Sequence, residues 1–417
     1  MEVKNVQDSK KEKKPKAKKV SMFWYRFAQI STKIMVSMWF KRKFIRNEVK
    51  GKKGPFVIIA NHQAALDFAN LMGVTREHVS FIISNSFFNT NPLKSALDKA
   101  GMIPKQQFQT GVRDLKRMRS VLDNGGILAI YPAGLMCEDG LSTPIPEATY
   151  KFLQWLRADI YMARTYGTYF VMPKWSKKKR PGRTYLDVYK LFGKEELAEM
   201  PLDEVKARAN EALLFDAYRD QEKYMVKYKG EENIEGLENV LYKCPHCGEE
   251  FSVKVKDESV IYCERCGFEE KCDEYGFLHK TSEVGEEIRY VSDWASMIYN
   301  DLKEKIASGE YTEISASAKI RMIDYEERKF REVGEGNLKV TRDHITLNGT
   351  VNGEPLELSL QLAMFASLPF TPGVHVELQR GDDIYRCMLD DGRLAMKIVN
   401  TVKAYYELAV TEHSQRN

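Results

Sequence analysis

Short apolar runs alternate with helical patterns along the first half of the chain. The runs are four or five residues long, rich in Val, Ile, Phe and Tyr, and lie at 56–60, 79–83, 127–131, 169–172 and 185–189. Runs of this length and composition are typical of buried strands. Between them, Val112–Asp123 has the apolar spacing of a helix and is followed by Gly125-Gly126, a helix stop. Strands that alternate with helices predict an α/β domain with a mainly parallel sheet.

The pattern changes in the last third of the chain. A helical pattern at 294–306 is followed by runs that indicate strands at 319–325, 338–340, 344–347, 356–360, 374–378 and 384–389. Turns are predicted at Asn348-Gly349, Asn352-Gly353 and Asp391-Gly392, and a helix at 393–410. We expect an α+β domain whose antiparallel strands are closed by one helix, which resembles a pleckstrin-homology-type barrel. Such a domain would bind lipid or peptide, or would serve only for packing or dimerisation.

The N-terminal region is cationic and then amphipathic. Lysines dominate residues 1–20, which predicts a disordered arm. Residues 21–43 are rich in aromatic and aliphatic side chains, but the longest uncharged stretch lies between Lys33 and Lys41, far short of the roughly twenty residues of a spanning helix. No small-residue cleavage site follows, so a signal peptide is not predicted. We expect helices in the membrane interface, with the arm drawn to anionic lipids. The alternative is a core helix behind a solubilising tail.

Length and charge limit the organisation of the chain. It has 417 residues and a net charge of +5, which allows two or three domains and implies no acidic partner for the whole protein. We predict a basic arm, interfacial helices, an α/β domain, a cysteine-rich unit and a strand-rich domain with a C-terminal helix. Their expected bounds are 1–20, 21–47, 48–229, 240–275 and 290–412.

A histidine and a carboxylate follow the first strand, in Asn61-His62-Gln63-Ala64-Ala65-Leu66-Asp67. Imidazole titrates near neutral pH, so a held histidine can take a proton from a hydroxyl while a carboxylate orients it. In one continuous helix, positions five apart would point about 140° away from each other. His62 and Asp67 therefore meet only if the chain turns between strand and helix, and we predict that turn. The alternative is a packed or solvated histidine without a catalytic role.

Three further segments follow in chain order: Gly101-Met102-Ile103-Pro104-Lys105, Tyr131-Pro132-Ala133-Gly134 and Val171-Met172-Pro173. Together with H-x4-D, they resemble the four motifs of the glycerolipid acyltransferases, such as the lysophosphatidic acid acyltransferases. The resemblance covers roughly residues 50 to 225. It implies that His62 deprotonates an acceptor hydroxyl, that Asp67 orients His62, and that the hydroxyl attacks the thioester of acyl-CoA or an acyl carrier protein. It also implies substrate contacts by Asn61, Lys105, Arg113, Pro132 and Gly134.

The acceptor pocket departs from the family pattern. The third motif of the family carries a glutamate and then Thr-Arg-Ser, whereas this chain has Ala133, Leu135, Met136 and Cys137. Lys105 or Arg113 would have to supply the cation of the second motif, and lysine lacks the bidentate fork of arginine. Cys137 is also a conceivable nucleophile, but a free cysteine usually behaves as a small hydrophobe. The resemblance therefore implies acyltransferase chemistry on a lysophospholipid-like acceptor whose identity is open.

Two C-x2-C pairs, Cys244 with Cys247 and Cys263 with Cys266, are separated by fifteen residues. This spacing is typical of a zinc ribbon in which four thiolates bind one structural Zn²⁺. Gly248 and Gly267 follow the two pairs and allow tight turns. His246 and Cys272 are not expected to be ligands. Thiolates kept for metal indicate a reducing compartment, so we expect a peripheral protein on the cytoplasmic face of a membrane.

The sequence suggests three classes of function. The ordered motifs favour a phospholipid-biosynthesis acyltransferase. The altered third motif leaves room for a catalytically silent lipid-binding adaptor, and the ribbon and lysine arm suggest a nucleic-acid-binding protein. Nucleic acid is not an expected partner, because the ribbon loop at 249–262 has few cations and few aromatic side chains for stacking. A basic loop at 175–183 is either a solvated hairpin or a contact for the phosphates of lipid or CoA.

Overall fold

The computed structural model describes residues 20–105, 111–230 and 232–416. The predicted disordered arm lies outside these residues, apart from its last position. Within them, no helix combines the length and the apolar character needed to cross a membrane.

The first part of the chain forms a seven-stranded sheet in the order β1-β7-β6-β2-β5-β3-β4. Its strands are β1 Lys43–Asn47, β2 Phe56–Ala60, β3 Val79–Ser84, β4 Ile103–Lys105, β5 Ile127–Ile130, β6 Ile160–Tyr166 and β7 Tyr185–Phe192. Strands β2 to β6 run parallel, while β7 is antiparallel to β6 and β1 is parallel to β7. The predicted α/β domain with a mainly parallel sheet is confirmed.

Helices cover both faces of this sheet. They are α1 Met22–Met35, α2 Asp67–Met72, α3 Asn85–Thr90, α4 Lys94–Lys99, α5 Val112–Asp123, α6 Ala148–Trp155, α7 Thr168–Val171, α8 Lys194–Glu199, α9 Leu202–Leu213 and α10 Ala217–Tyr224, and a π-helix, Val36–Phe40, continues α1. Val57 and Ile59 of β2 pack with apolar residues of α5, α6 and α9. Ile58, on the opposite face, packs with α1 and α2. Burial of each aliphatic side chain contributes about 1.5–3 kcal/mol to the stability of the fold. Because successive side chains of β2 point to opposite faces, this strand holds the helices on both faces to the sheet.

One predicted strand is wrong. Residues 169–172 do not form a strand; most of them lie in α7, and the strand of this region is β6, which ends at Tyr166. Gly167 has a φ of +81° and separates the two elements. Thr168 Oγ1 and the Tyr169 N–H both donate to Gln63 Oε1, at 3.0 and 3.2 Å. Tertiary hydrogen bonds to a distant loop thus fix a helical turn where the local composition favours a strand.

The cysteine-rich unit is a four-stranded antiparallel sheet in the order β11-β10-β9-β8. The strands are β8 Val253–Lys256, β9 Val260–Cys263, β10 Glu269–Cys272 and β11 Leu278–Lys280. A 3₁₀ turn, Leu237–Asn239, precedes them and helix α11, Val291–Ala307, follows. Trp294 of α11 is fully buried and donates from Nε1 to the Lys243 carbonyl at 2.9 Å. Helix α11 is thereby fixed to the start of the unit.

The last part is a seven-stranded antiparallel sheet in the order β15-β14-β13-β12-β18-β17-β16, closed by a long helix. Its elements are β12 Glu313–Asp324, β13 Lys329–Thr341, β14 His344–Val351, β15 Glu354–Gln361, the 3₁₀ turn Leu362–Met364, β16 Phe370–Thr371, β17 His375–Arg380, β18 Asp383–Leu389 and α12 Leu394–Arg416. The antiparallel sheet and the C-terminal helix were predicted. The pleckstrin-homology-type barrel is not confirmed and stays a prediction.

The predicted turn at Asn348-Gly349 is wrong, because both residues lie inside β14. A Cβ on Gly349 would lie 2.5 Å from the Cα of Gly336 and 2.1 Å from the Glu335 carbonyl oxygen. This glycine therefore permits close approach of two strands. The turn at Asn352-Gly353 is confirmed, with φ angles of +52° and +84°, as a type I′ hairpin requires.

Besides the two apolar clusters on the faces of the first sheet, a third apolar core runs through all three parts. It extends from Val36 and Phe40 through Tyr169 and Trp294 to the buried faces of the C-terminal sheet and α12. The proposed division of the chain into five segments stays a prediction, but the segments at 21–47, 48–229, 240–275 and 290–412 all contribute to this core.

Candidate active site and metal centre

His62 and Asp67 meet at the carboxyl end of β2. The strand ends at Ala60, and Asp67 is the first residue of α2, so the chain turns between them. His62 Nδ1 lies 3.0 Å from Asp67 Oδ2. The Asp67 side chain is fully buried, whereas the His62 side chain keeps 19% of its surface exposed. The predicted turn is confirmed, and it leaves the histidine within reach of a ligand.

Asp67 holds the turn together. Its Oδ2 accepts from the backbone N–H groups of Gln63 at 2.7 Å and Ala64 at 2.9 Å, besides its contact with the imidazole. A carboxylate receiving such bonds is an acceptor only, so Nδ1 of His62 carries the proton. The lone pair is then on Nε2, which is the nitrogen that can take a proton from a substrate.

Tyr131, from the third motif, stacks on the imidazole. The two ring centroids are 4.3 Å apart with an interplanar angle of 27°. Tyr131 follows β5, the neighbour of β2, so the sheet brings the two rings together. Burial, helped by the charge of Asp67, raises the pKa of Tyr131 well above its ordinary value. A neutral ring thus fixes the plane of His62.

Two polar residues beside His62 attach this loop to β6 and α7. Asn61 is buried and exchanges three hydrogen bonds with Thr165: from its Nδ2 to the carbonyl at 2.9 Å, and at its Oδ1 from the N–H at 2.8 Å and the hydroxyl at 3.1 Å. Gln63 accepts from Thr168 and Tyr169, as described above. Asn61 therefore positions the strand end, and its expected contact with substrate stays a prediction. The supporting residues Thr165 and Thr168 carry no local sequence signal and were missed.

A small cavity of about 10 Å³ adjoins His62. Its walls come from the ends of β2 and α9 and from the loop after β5: Ala60, Asn61, His62, Ala133, Ser142, Thr143, Ile145, Leu213 and Phe215. One water needs about 10–15 Å³, so this cavity has room for about one water and not for a substrate. Ala133 stands where the family has glutamate, which makes the wall beside His62 less polar.

The remaining predicted substrate residues lie at different distances from His62. Pro132 is buried in the turn after β5, and Gly134 is exposed with a φ of +72°. Lys105 ends β4, three strands from β2 in the sheet order, or about 14 Å at roughly 4.8 Å per strand. Burial lowers the pKa of Lys105 although Asp114 opposes the shift. Arg113 is exposed near the start of α5. Only the third motif lies at His62 itself.

Cys137 supports the histidine loop but is a poor nucleophile. Its N–H donates to the His62 carbonyl at 3.2 Å, and its Sγ lies 3.7 Å from the Gln63 carbonyl oxygen. Burial, together with the charges of Asp139 and Glu138, raises the pKa of the Cys137 thiol well above its ordinary value. The thiolate needed for covalent catalysis is therefore disfavoured.

The residue after Cys137 connects this loop to the C-terminal helix. Glu138 is 2% exposed, and it accepts from Lys403 of α12 at 2.5 Å and lies 3.8 Å from Lys174 Nζ. Lys174 also lies 3.7 Å from the ring centroid of Phe370 in β16. Burial alone would raise the pKa of Glu138, but the two ammonium groups hold it below the ordinary value. A buried ionic cluster thus joins the loop beside His62 to the C-terminal domain.

The four predicted metal ligands form one cluster. The Sγ atoms of Cys244, Cys247, Cys263 and Cys266 all lie within 4.8 Å of one another. Those of Cys244 and Cys266 are 3.7 Å apart, and those of Cys247 and Cys263 are 3.8 Å apart. A tetrahedron with Zn–S bonds of about 2.3 Å has sulfur–sulfur separations of about 3.8 Å. The cluster is therefore compatible with a structural zinc site.

The surroundings of the cluster fit this assignment. Gly248 and Gly267 have φ angles of +73° and +76°, and their N–H groups donate to the carbonyls of Cys244 and Cys263. Their expected role in the turns is confirmed. Ser252 Oγ lies 3.2 Å from Cys263 Sγ, which is an outer contact of the kind that orients metal ligands. Four thiolates would complete the coordination of zinc and leave no position for substrate.

Residues 41–174 match the family model described as Acyltransferase. They include all four motifs, from His62 and Asp67 to Pro173, so the predicted resemblance to the acyltransferases is confirmed for this part of the chain. Among solved structures, the chain is similar to the crystal structure of the 1-acyl-sn-glycerophosphate (LPA) acyltransferase, PlsC, from Thermotoga maritima. The identity is 16% and the TM-score 0.41, over 48% of this chain and 79% of that chain.

Proposed function

We propose that the protein transfers an acyl group from a thioester donor to the hydroxyl of a lysophospholipid-like acceptor, with His62 as the general base. The observation that carries this proposal is the contact between His62 Nδ1 and Asp67 Oδ2, made inside the acyltransferase match and beside a cavity. It turns Nδ1 of the imidazole to a buried carboxylate and leaves Nε2 for the substrate.

The chemistry follows from these two side chains. Nε2 takes the proton of the acceptor hydroxyl while its oxygen attacks the thioester carbonyl, and Asp67 stabilises the imidazolium that forms. The tetrahedral intermediate then collapses, the carbon–sulfur bond breaks, and the imidazolium returns its proton to the leaving thiolate. His62 ends as it began, and the products are an ester and a free thiol. Tyr131 keeps the imidazole plane fixed through both proton transfers.

The acceptor is proposed to be an anionic lysolipid. The third motif offers no cation, so recognition of a phosphate falls to Lys105 at the end of β4. Lys105 lies at the same sheet edge as His62, because β4 is parallel to β3 and β3 to β5 and β2. An acceptor with a headgroup phosphate well separated from its free hydroxyl would reach both residues. A small apolar wall at Ala133 suits the hydrocarbon next to that hydroxyl.

The proposed site of action is the cytoplasmic surface of a membrane. Helix α1 and the π-helix after it leave five large apolar side chains more than half exposed: Phe23, Phe27, Ile30, Ile34 and Met38. They recur every three or four positions, so they share one face of a helix. Lys33 and the Lys41–Lys43 cluster supply cations at its end. An apolar face flanked by cations is the pattern of a helix that lies in a lipid interface.

The test uses the purified protein, labelled acyl-CoA or acyl carrier protein, and a mixed lysolipid extract, with products identified by mass spectrometry. His62→Ala is compared with His344→Ala, an exposed histidine at the start of β14. We expect an acylated lysolipid from the wild type and the control, and a rate about 10²–10⁴-fold lower in His62→Ala. Full activity in His62→Ala would remove His62 as the base. The absence of any product would favour a silent lipid-binding adaptor.

A further inference from the structure

A second and larger cavity lies outside the acyltransferase motifs. We name it the Arg183 groove: an open groove of about 640 Å³ between the end of the N-terminal helix, the start of β7 and the segment after α10. It is lined by Lys41, Pro181, Gly182, Arg183, Tyr185, Tyr224, Met225, Val226, Lys227, Tyr228, Lys229, Gly230, Glu232 and Glu274. All of these residues except Lys41 and Glu274 lie in the segment between the acyltransferase match and the ribbon.

The groove opens at the same edge of the sheet as His62. Strand β6 is parallel to β2, and Ala163 is opposite Ala60, one residue before the catalytic loop. Strand β7 is antiparallel to β6, and Tyr185 at its start pairs with Tyr166 at the end of β6. Tyr185 is thus two strands from β2, or roughly 10 Å at about 4.8 Å per strand. A ligand of extended shape can occupy the groove and reach His62.

The groove has an excess of positive charge. Lys41, Arg183 and Lys229 are exposed and form no ion pair within the described residues. Lys227 pairs with Glu274, so these two charges cancel. Glu232 is then the remaining carboxylate among the lining residues described by the structure. Three cations converge on one groove against a single acid, and such an arrangement attracts a ligand with more than one negative charge.

Hydrogen bonds join the three segments that carry these cations. The Gly182 N–H donates to the Trp39 carbonyl at 3.0 Å, and the Lys229 N–H donates to the Pro181 carbonyl at 3.1 Å. The Tyr228 hydroxyl donates to the Arg183 carbonyl at 3.2 Å. A Cβ on Gly182 would lie 2.0 Å from the Tyr228 ring, so only glycine permits this packing. The three walls are joined to one another directly.

Aromatic rings lie among the cations. The rings of Tyr185 and Tyr224 are stacked, with centroids 4.3 Å apart and an interplanar angle of 20°. Tyr166 adds a third ring, 5.2 Å from Tyr224. Tyr185 and Tyr224, both partly exposed, line the groove, and aromatic rings beside cations are the combination that binds a planar base together with its phosphates. A simple lipid phosphate would use the cations and make no use of the rings.

We infer that the Arg183 groove binds the phosphorylated adenosine of a coenzyme A thioester. This inference rests on the proposed function and names its donor. The adenine ring stacks in the groove, the 3′-phosphate and pyrophosphate contact Lys41, Arg183 and Lys229, and the flexible pantetheine arm carries the thioester along the sheet edge to His62. An acyl carrier protein has the arm and one phosphodiester but no adenosine, so the rings favour acyl-CoA.

The test is calorimetric titration of the full-length protein with unacylated CoA, 3′-dephospho-CoA and inorganic phosphate. The double variant Lys41→Gln/Lys229→Gln is compared with Lys151→Gln/Lys271→Gln, which removes two exposed lysines outside the groove. We expect CoA to bind more tightly than its dephospho form, and about tenfold or more weakening in the groove variant. Arg183→Gln should also weaken binding, and Arg183→Lys should restore part of it. The control should bind as the wild type does.

Three results would overturn the inference. One is equal CoA affinity in the groove variant and the wild type. Another is no CoA binding by a wild type that transfers acyl groups from acyl carrier protein. The third is unchanged CoA binding in a groove variant that no longer binds anionic vesicles, which would assign the cations to lipid. The activity of the wild type separates this inference from the proposed function: CoA binding by a wild type that acylates no lysolipid would leave the groove standing and remove the proposed enzyme.

Discussion

The His62 site and the four-cysteine cluster are each built from side chains close together in the sequence, but they differ in what holds them. The cysteine pairs are shaped by their own glycine turns and an adjacent serine. The His62–Asp67 pair also has a local turn, yet its orientation uses Tyr131, Thr165 and Thr168, which lie about 70 to 105 residues away. The four-thiolate cluster is thus shaped locally, whereas the orientation of His62 depends on distant parts of the sheet.

The largest effect is expected from removing a metal ligand. Cys247→Ser should abolish zinc binding and destabilise the ribbon by several kcal/mol, since structural zinc contributes about 10–16 kcal/mol to isolated zinc fingers. Zinc content by mass spectrometry and thermal unfolding measure the two effects. His246→Ala, in the same knuckle, is the control and should retain the metal. Equal zinc content in Cys247→Ser and the wild type would contradict the assignment of the cluster.

Asp67→Asn is expected to produce the opposite outcome, with lost activity and retained zinc. The amide carries no charge to stabilise the imidazolium, and its oxygen must replace a carboxylate that accepts three hydrogen bonds. Turnover should fall about 10²–10⁴-fold, measured at saturating acyl donor. Asp123→Asn, on an exposed carboxylate of α5, serves as control. If zinc content fell together with activity, the two sites would not be independent.

The next largest effect is expected in the buried ionic cluster of Glu138, Lys174 and Lys403, which joins the loop beside His62 to the C-terminal domain. Lys403→Met removes the close partner of Glu138 and leaves a buried carboxylate, at an expected cost of about 3–5 kcal/mol at neutral pH. Urea unfolding of the variant and the wild type at pH 7 measures this difference. Lys397→Met, one turn and a half earlier on α12 and paired with a half-exposed Glu250, should cost less. A loss below that of Lys397→Met would show that the buried pair is dispensable.

The ion pair between Glu138 and Lys403 also predicts that the stability of the protein depends on pH. The folded-state pKa of Glu138 lies below its ordinary value, because Lys403 and Lys174 outweigh the effect of burial. Its stabilisation is therefore present above the unfolded-state value of about 4.3 and is lost as the pH falls through the folded-state pKa. The stability difference between wild type and Lys403→Met should shrink when the pH is lowered from 7 to below 4. Burial raises the pKa of Asp139 to about 6 against the charge of Lys403, so Asp139 also responds to this substitution, at a higher pH than Glu138 does. A constant difference would exclude Glu138 as its source.

The smallest effect is expected at the surface of α1. Phe27→Ser and Ile30→Ser, at side chains 58% and 62% exposed, should each weaken binding to anionic vesicles by about tenfold or more and leave the fold intact. Flotation of the protein with vesicles measures the change. Met297→Ser, at an exposed apolar side chain of α11, is the matched control. Unchanged flotation in the α1 variants would move the membrane contact elsewhere.

Elements that are fixed by neighbouring residues were predicted correctly from the sequence, whereas elements that are fixed by distant residues were not. Val112–Asp123, β2 and the two glycine turns of the ribbon depend on neighbouring residues, and each formed where expected. The contact of His62 with Asp67 also followed from a spacing of five. Strand β6 and helix α7 were not predicted, because Arg164 and Thr165 interrupt the apolar run and Gln63 fixes the turn from 105 residues away. The groove around Arg183 combines three distant segments and had only a basic loop as its signal.

The contacts of Lys403 have a consequence for the expression of shorter fragments. A fragment that ends after the acyltransferase match would lack Lys403 and Phe370, so Glu138 and Lys174 would lie at a new surface. The apolar core that continues into the ribbon would also be exposed there. Such a fragment is expected to express poorly and to aggregate, even though it would contain every motif of the family. The segment that carries the acyltransferase motifs is thus shorter than the part of the chain that folds as one unit.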